Sequence, residues 1–278
     1  MTNTLRSLRV SVVVFDPEIP WLDRTFASLA RSASVAMAAG ALETLSIDVV
    51  DNGTPDEAAL DESIARLASA LPSVRVHTLR GHGNVGYGEG HNRSIHDGRD
   101  DVHLVLNPDV ELDENALTNA IDYLERETDT VLVSPEVRSP TGERQYLCRR
   151  EPSVLVLLVR GFAPQWVARV FARRLDRYEM RDVLGRGVAA DVPLATGCCM
   201  FVRGSSLRAV QGFSPDFFLY FEDYDLSARL SKLGTIRYVP SVVITHAGGF
   251  TASRGWRRIR LFLASAARYF SKHGWRFA

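Results

Sequence analysis

The 278-residue chain predicts an α/β fold with a mostly parallel central sheet and helices on both faces. Three observations predict it. Short apolar, largely β-branched runs recur through the first half. Stretches of helical period separate them. Residues that turn or bind, chiefly Asp, Asn, Gly and Pro, follow directly after the runs, where a parallel sheet of this class carries its ligands.

The elements follow in order. Val10 to Phe15 is a continuous run suited to a strand buried on both faces. Pro20 suits a helix first turn, and Leu22, Phe26, Leu29, Ala30 and Ala33 then share one face. Ile47 to Val50 is a second strand. Thr54-Pro55-Asp56-Glu57 has the form of a capping box with proline at the first helical position, leading a stripe of Leu60, Ile64, Leu67, Ala68 and Leu71. Val74 to Leu79 and Val102 to Leu106 are further strands. Asp113 is placed to cap a helix that buries Leu117, Ala120, Ile121 and Leu124, and Val131 to Val133 follows as a strand.

The second half reads differently. Residues 144–186 are arginine-rich, with Val167, Val170, Phe171, Leu175 and Tyr178 as an apolar face. Residues 192–202 read as a strand interrupted at Gly197, residues 213–233 as an acidic cluster with a short helix, and Ile236 to Val239 and Val242 to Ile244 as strands around Pro240. Trp256 to Phe270 is a basic amphipathic helix. The expected organisation is one domain over 1–250, its halves meeting near 135/136, and a helical extension over 251–278.

Formal net charge is zero, but residues 1–143 hold 11 Lys and Arg against 24 Asp and Glu, and residues 144–278 hold 22 against 9. That asymmetry calls for an anionic partner of the second half, among phosphates, acidic lipid headgroups and nucleic acid. No recognisable nucleic-acid module accompanies the charge, so nucleic acid is not expected. Cys148, Cys198 and Cys199 lack metal-ligand spacing and read as small buried thiols. The polar N-terminus is unlike a signal peptide, and the longest aliphatic run, Val154 to Val159, is too short to cross a bilayer. A soluble cytoplasmic chain is expected.

Four motifs carry chemistry. Gly81-His82-Gly83-Asn84-Val85-Gly86 spells a dinucleotide fingerprint, but it follows the third strand, and Gly88 and Gly90 stand where its helix should begin. It is read instead as a glycine-rich phosphate or ribose loop. Asn107-Pro108-Asp109 ends a buried strand, where a carboxylate can hold a hard divalent cation against a diphosphate. Phe217 to Phe221 runs into Glu222-Asp223-Tyr224-Asp225, so close carboxylates meet an apolar wall, which raises a pKa and suits a general base. His246 ends a strand and precedes Gly248-Gly249. No GxSxG elbow, Walker A loop or HExxH occurs.

In this order the motifs resemble family 2 glycosyltransferases of the GT-A fold. The resemblance rests on Val10–Phe15, Val50-Asp51-Asn52-Gly53, Asn84 to Asn92, Leu106 to Asp109, Thr196 to Arg203, and Gly212-Phe213 through Tyr220-Phe221-Glu222-Asp223-Tyr224-Asp225-Leu226 to His246. The Asn107-Pro108-Asp109 form and the Tyr220-Phe221-Glu222-Asp223 string most resemble bacterial rhamnosyltransferases of surface-polysaccharide assembly. The resemblance implies an inverting transfer of a sugar, with L-rhamnose from dTDP-rhamnose as the first candidate, to a hydroxyl of a glycan or polyprenyl-diphosphate-linked acceptor. It further implies Asp223 as catalytic base, with Glu222 and Asp225 supporting the acceptor site. Phe15, Asp51, Asn52, Asn84, Gly86, Asn92 and Asn107 would shape the nucleotide-sugar pocket, and Asp109 and His246 would hold Mg²⁺ or Mn²⁺. Two positions depart from the family pattern. Asn107 stands where an Asp is common, and Phe15-Asp16-Pro17 stands where Thr-Tyr-Asn is common.

The alternatives are a different UDP- or GDP-sugar donor, an inactive donor-binding partner subunit, a nucleotidyltransferase without its usual loop near the first strand, and an NAD-dependent oxidoreductase. The last helix, with Trp256, Ile259, Leu263 and Phe270 on one side and Arg254, Arg257, Arg258, Arg260, Arg268 and Lys272 around it, suits either an anionic membrane surface or packing on the core.

Overall fold

The computed structural model describes residues 4–248 and 255–278. Gly249 and Arg254, and the boundary drawn at 250/251, lie outside the described residues. In chain order the elements are β1 (Ser7–Val14), α1 (Ile19–Ala38), β2 (Thr44–Asp51), α2 (Glu57–Ala70), β3 (Arg75–Leu79), α3 (Tyr87–Ile95), β4 (Val102–Leu106), β5 (Val110–Leu112), α4 (Ala116–Arg126) and β6 (Thr130–Arg138). There follow β7 (Arg144–Gln145), α5 (Val154–Phe162), α6 (Gln165–Val170), α7 (Ala172–Tyr178), α8 (Arg181–Leu184), β8 (Ala190–Asp191), β9 (Cys199–Arg203), α9 (Gly204–Ala209), α10 (Glu222–Leu230), β10 (Thr235–His246) and α11 (Trp256–His273).

One sheet runs β3-β2-β1-β4-β9-β6-β10-β5. Its first four strands are parallel, as is the β6–β10 pair, while β9 runs antiparallel to both β4 and β6. The sheet is therefore a parallel half joined to a mixed half. The position 135/136, expected to divide two halves, falls inside β6.

The sheet is covered on both faces because its strands alternate. Leu104, Leu106, Phe201 and Val133 enter one core with the buried faces of α1, α2 and α4. Val105, Met200, Val202 and Leu132 enter a second core with Leu207, Phe213 and Leu226. A third, aromatic cluster of Phe217, Phe221, Tyr269 and Phe270 seats α11 against the start of α10.

The structure corrects several local expectations. Asp56, not Thr54, caps α2, its carboxylate accepting from the Ala59 N–H at 3.0 Å, so Pro55 precedes the helix. Asn115 occupies the cap position of α4, and Asp113 closes the preceding turn on the Asn115 N–H. Pro240 does not divide two strands, because β10 is continuous and absorbs it at a register shift against β6. The apolar face expected over 167–178 does not form: α6 and α7 are separate short helices, Val170 is 76% exposed and Tyr178 alone is buried. On α11, Phe270 packs inward while Trp256 and Leu263 are exposed, so the expected single stripe is split between core and surface. The three cysteines are free and buried.

Candidate active site

The carboxyl ends of β1, β2 and β4 form one edge of the sheet. Register pairs Val14 with Asp51, and Val12 with Leu106. Phe15, Asp51-Asn52 and Asn107 to Asp109 therefore emerge together, as expected of ligand-binding turns. The Phe15 side chain is 59% exposed and its ring lies across the turn at Gly53. Asp51 is buried, and its Oδ1 accepts the Gly53 and Thr54 N–H groups at 3.0 and 2.8 Å. Asn52 donates to the Gly86 carbonyl at 3.0 Å and faces His82 Nε2 at 3.0 Å.

The glycine-rich stretch is only half a loop. After a turn in which Asn84 Oδ1 accepts the Gly86 N–H, α3 begins at Tyr87 and contains Gly88 and Gly90. These glycines exist for close packing: a Cβ on Gly88 would come within 2.8 Å of the Phe213 Cβ, and one on Gly90 within 2.9 Å of Val13. Gly86 has φ +93°, and a Cβ there would collide with the Phe218 carbonyl, to which Tyr87 N–H donates. Asn92 faces away from the edge. It holds the turn at Gly212-Phe213, accepting the Phe213 N–H at 2.8 Å and donating to its carbonyl at 2.9 Å.

Tyr87 was missed by sequence reasoning, and it joins the two chemical halves of the site. Its hydroxyl lies 3.0 Å from Asn107 Oδ1 and 2.5 Å from the Gly197 carbonyl. Burial pushes this phenol well up, reinforced by the negative charges of Glu222, Asp223 and Asp109 around it. In the sequence Gly197 reads as a strand break within the Thr196 to Arg203 motif, without a role of its own. It lies between Tyr87 and Asp223, and a Cβ there would stand 3.2 Å from the Tyr87 hydroxyl and 3.4 Å from the Asp223 Cβ.

On one side of Tyr87 is the Asp109–His246 pair. β5 pairs antiparallel with the end of β10, which brings His246 opposite Val110 and its Nε2 3.4 Å from Asp109 Oδ2. Gln145 Oε1 lies 3.4 Å from the other ring nitrogen, and the Gln145 amide donates to the His246 carbonyl. Asp109 Oδ1 is buried with no hydrogen-bond partner. An orphaned carboxylate oxygen beside an imidazole is a donor set that fits a divalent cation. No group of three His, Cys, Asp or Glu side chains among the described residues could by itself hold a metal ion, so the remaining positions around such a cation would fall to ligand oxygens and water.

On the other side are Glu222 and Asp223, in the first turn of α10. The chain reaches them through Tyr220 and Phe221, both left-handed with φ +70° and +66°. Two successive left-handed aromatic residues are strained by about 1–3 kcal/mol each, a feature that concentrates at functional sites. Phe221 packs on Phe262 and Tyr269, which holds the turn in place. Asp223 Oδ2 accepts the Gly197 N–H at 3.0 Å, and Oδ1 accepts the Tyr224 N–H at 2.9 Å. Burial nevertheless raises the Asp223 carboxyl to about 6. Glu222 is buried, its Oε2 has no partner, and burial and the adjacent Asp223 charge push it well up. Asp225 points elsewhere. Fully buried, it binds Arg229 at 2.8 Å, Lys272 at 2.9 Å and His273 at 2.8 Å, and so ties α10 to α11.

Residues 11–207 match the family described as glycosyl transferase family 2. The chain is 29% identical over 269 residues to the N-acetylglucosaminyl-diphospho-decaprenol L-rhamnosyltransferase of Mycobacterium tuberculosis, covering 89% of this chain and 78% of that one. It is 27% identical over 202 residues to the rhamnosyltransferase WbbL of Escherichia coli, covering 67% and 71%. The fold is shared with the mannosyltransferase PcManGT from Pyrobaculum calidifontis in complex with GDP-Man and Mn²⁺ (TM-score 0.62, 16% identity, 95% of this chain and 64% of that one). It is also shared with GalNAc-T7 with UDP, GalNAc and Mn²⁺ (TM-score 0.66, 15% identity, 97% and 48%).

Proposed function

Because the chain belongs to glycosyl transferase family 2 and is a glycosyltransferase, we propose that it moves L-rhamnose from dTDP-rhamnose onto a hydroxyl of an N-acetylglucosaminyl-diphospho-lipid. The two curated relatives, both named rhamnosyltransferases, support the sugar, and the Mycobacterium tuberculosis enzyme's name supports the acceptor.

The observation that carries the mechanism is the Asp223 carboxylate, fixed by the Gly197 N–H and raised to about 6. Such a group is ionised at neutral pH and still basic enough to take a proton from a sugar hydroxyl as that oxygen attacks. In this reading one displacement inverts the anomeric carbon. Glu222, its carboxyl also pushed up by burial and the adjacent Asp223 charge, stands beside the base where the acceptor would approach. The exposed Phe15 ring and the turn at Asp51–Gly53 receive the base, and Asn107, fixed by the Tyr87 hydroxyl, borders the sugar. Asp109 and His246 would hold Mg²⁺ or Mn²⁺, which when bound neutralises charge on the departing diphosphate.

A thermal-shift panel of nucleotide sugars with and without Mn²⁺ tests the donor, since a specific ligand stabilises the folded state by mass action. dTDP-rhamnose should raise the midpoint most and in a metal-dependent way. A larger shift with a UDP- or GDP-sugar would overturn the rhamnose assignment.

No described helix is long and apolar enough to cross a membrane. We further propose peripheral contact with an anionic bilayer through the exposed Trp256 and Leu263 of α11 and the basic residues around them. Flotation with phosphatidylglycerol vesicles at low salt checks this; a protein that stays at the bottom of the gradient refutes it.

A further inference from the structure

Beside the acidic pocket lies a larger cleft of about 990 Å³, within the usual size of ligand sites. Its walls are the loop at Arg150–Ser153, helix α7, the segment at Asp191 and Pro193, and the tail at Arg276. The charges lining it do not balance. Arg150 is held by Asp182 through two bonds of 3.0 and 2.9 Å. Glu151 is engaged by Tyr269 and Arg276, and Asp191 by Arg237. Arg173, Arg174 and Arg177 line the cleft without an acidic partner among the described residues.

These three arginines are close to one another on α7, at spacings of one, three and four. Arg177 is three and four residues from the other two, and like charges at those spacings weaken a helix. Helix α7 is seven residues long and buries only Tyr178, so little intrinsic stability offsets that repulsion. The arrangement suits a multiply charged anion, and arginine forks match phosphate oxygens in pairs.

Tyr178 relates this cleft to the chemistry. It lines both the arginine cleft and the smaller pocket that contains Glu222 and Asp223, and its hydroxyl lies 2.9 Å from that of Tyr224. A phosphate group in the first cavity is therefore one side chain away from the base in the second.

We infer that the cleft binds the diphosphate of the lipid-linked acceptor, with Arg173, Arg174 and Arg177 on its phosphate oxygens and the attached sugar reaching past Tyr178 toward Asp223. This deepens the reading of a diphosphate-linked acceptor and rests on it. The same arginines could serve a phospholipid headgroup, so the test separates the two sources.

The full chain carrying Arg173→Gln, Arg174→Gln and Arg177→Gln together is compared with wild type. Farnesyl diphosphate binding is titrated by calorimetry with excess dTDP present to fill the donor site. The variant should lose at least about tenfold in affinity, since bonds to charged groups are the stronger ones. The KM for an N-acetylglucosaminyl-diphospho-lipid should rise by a similar factor, and the three Arg→Lys changes should restore part of the loss. A thermal midpoint no lower than wild type and an unchanged dTDP affinity show that the variant folds. Unchanged farnesyl diphosphate affinity overturns the inference. So does the loss of phosphatidylglycerol flotation with farnesyl diphosphate affinity intact, which would make the arginines a headgroup contact. The binding arm uses neither donor sugar nor turnover, so its failure is distinct from a failure of rhamnosyl transfer.

Discussion

Asp223 combines two opposed influences. The Gly197 and Tyr224 N–H groups stabilise its charge, and burial beside Glu222 opposes it, leaving the carboxyl at about 6. Asp223→Asn keeps the shape and removes the proposed base, so turnover should fall by about 10²–10⁴ while calorimetric donor affinity stays within a factor of about two; near-normal turnover would remove Asp223 from the mechanism. In the wild type, log rate should climb with pH to a plateau above an apparent value near 6 that belongs to the Glu222–Asp223 pair. Stability should move the other way. The folded state holds the proton up to about 6 and the unfolded chain releases it near the ordinary 3.8, so stability declines as pH rises through that window, and the deficit is fully present above it. Asp223→Asn should flatten that slope in melting curves from pH 4 to 7 and melt no lower than wild type at pH 7.5. In the proposed mechanism Asp109 is the counterpart on the diphosphate side. With its orphaned Oδ1 beside His246, Asp109→Ala should abolish the gain in dTDP affinity on adding Mn²⁺; an equal gain in variant and wild type would exclude Asp109 from the metal site.

At the scale of elements, the turn into α3 sets the geometry. Gly86 is left-handed, lies against the Phe218 carbonyl and precedes Tyr87, whose N–H is bonded to that carbonyl. Gly86→Ala adds a methyl group where neither the backbone angle nor the space allows it. The turn should shift and carry Tyr87 away from Asn107 and Gly197. A loss of more than about 1 kcal/mol in urea unfolding is expected, together with a raised donor KM. Wild-type stability and KM would show that the contact with Phe218 is slack. Helix α10 presents the complementary case. Its first turn carries Glu222, Asp223 and Asp225 at the positive end of the helix, a favourable placement. The helix twist then sends Asp225 into α11 and leaves Glu222 and Asp223 at the pocket.

Across the whole molecule, α11 is fastened to α10 by Asp225. Arg229, Lys272 and His273 converge on it and hold its carboxyl below the usual range despite burial. A depressed carboxylate contributes stability above the unfolded value near 3.8, which is lost as pH falls through the lower folded value. Asp225→Ala leaves cations without their counter-charge. The expected loss is about 2–4 kcal/mol, toward the low end because Lys272 is about a third exposed. Limited proteolysis should then release α11 before the rest of the chain unfolds. If the variant digests like wild type, the aromatic contacts of Phe221, Tyr269 and Phe270 hold the helix without this ion cluster.

The sequence by itself determined the strand–helix alternation of the first half, since buried strands and amphipathic helices write their periods locally. It also placed Asp51, Asn107 and Asp109 at strand ends, because apolar runs stop where polar turns begin. Caps were less legible: Thr54 and Asp56 are both competent acceptors, and only the backbone path chose Asp56. What tertiary structure alone decided was which residues meet. Asp109 faces His246 because β5 pairs with the far end of β10, 137 positions later in the chain. Tyr87 and Gly197 became parts of the site because α3 docks against the segment before β9. Asn92 and Asp225, chemically as suited to a pocket as their neighbours, were turned toward Phe213 and α11. Residue type and spacing fix local conformation and chemical capacity, whereas proximity between distant segments is set by sheet order and packing, which no local pattern encodes.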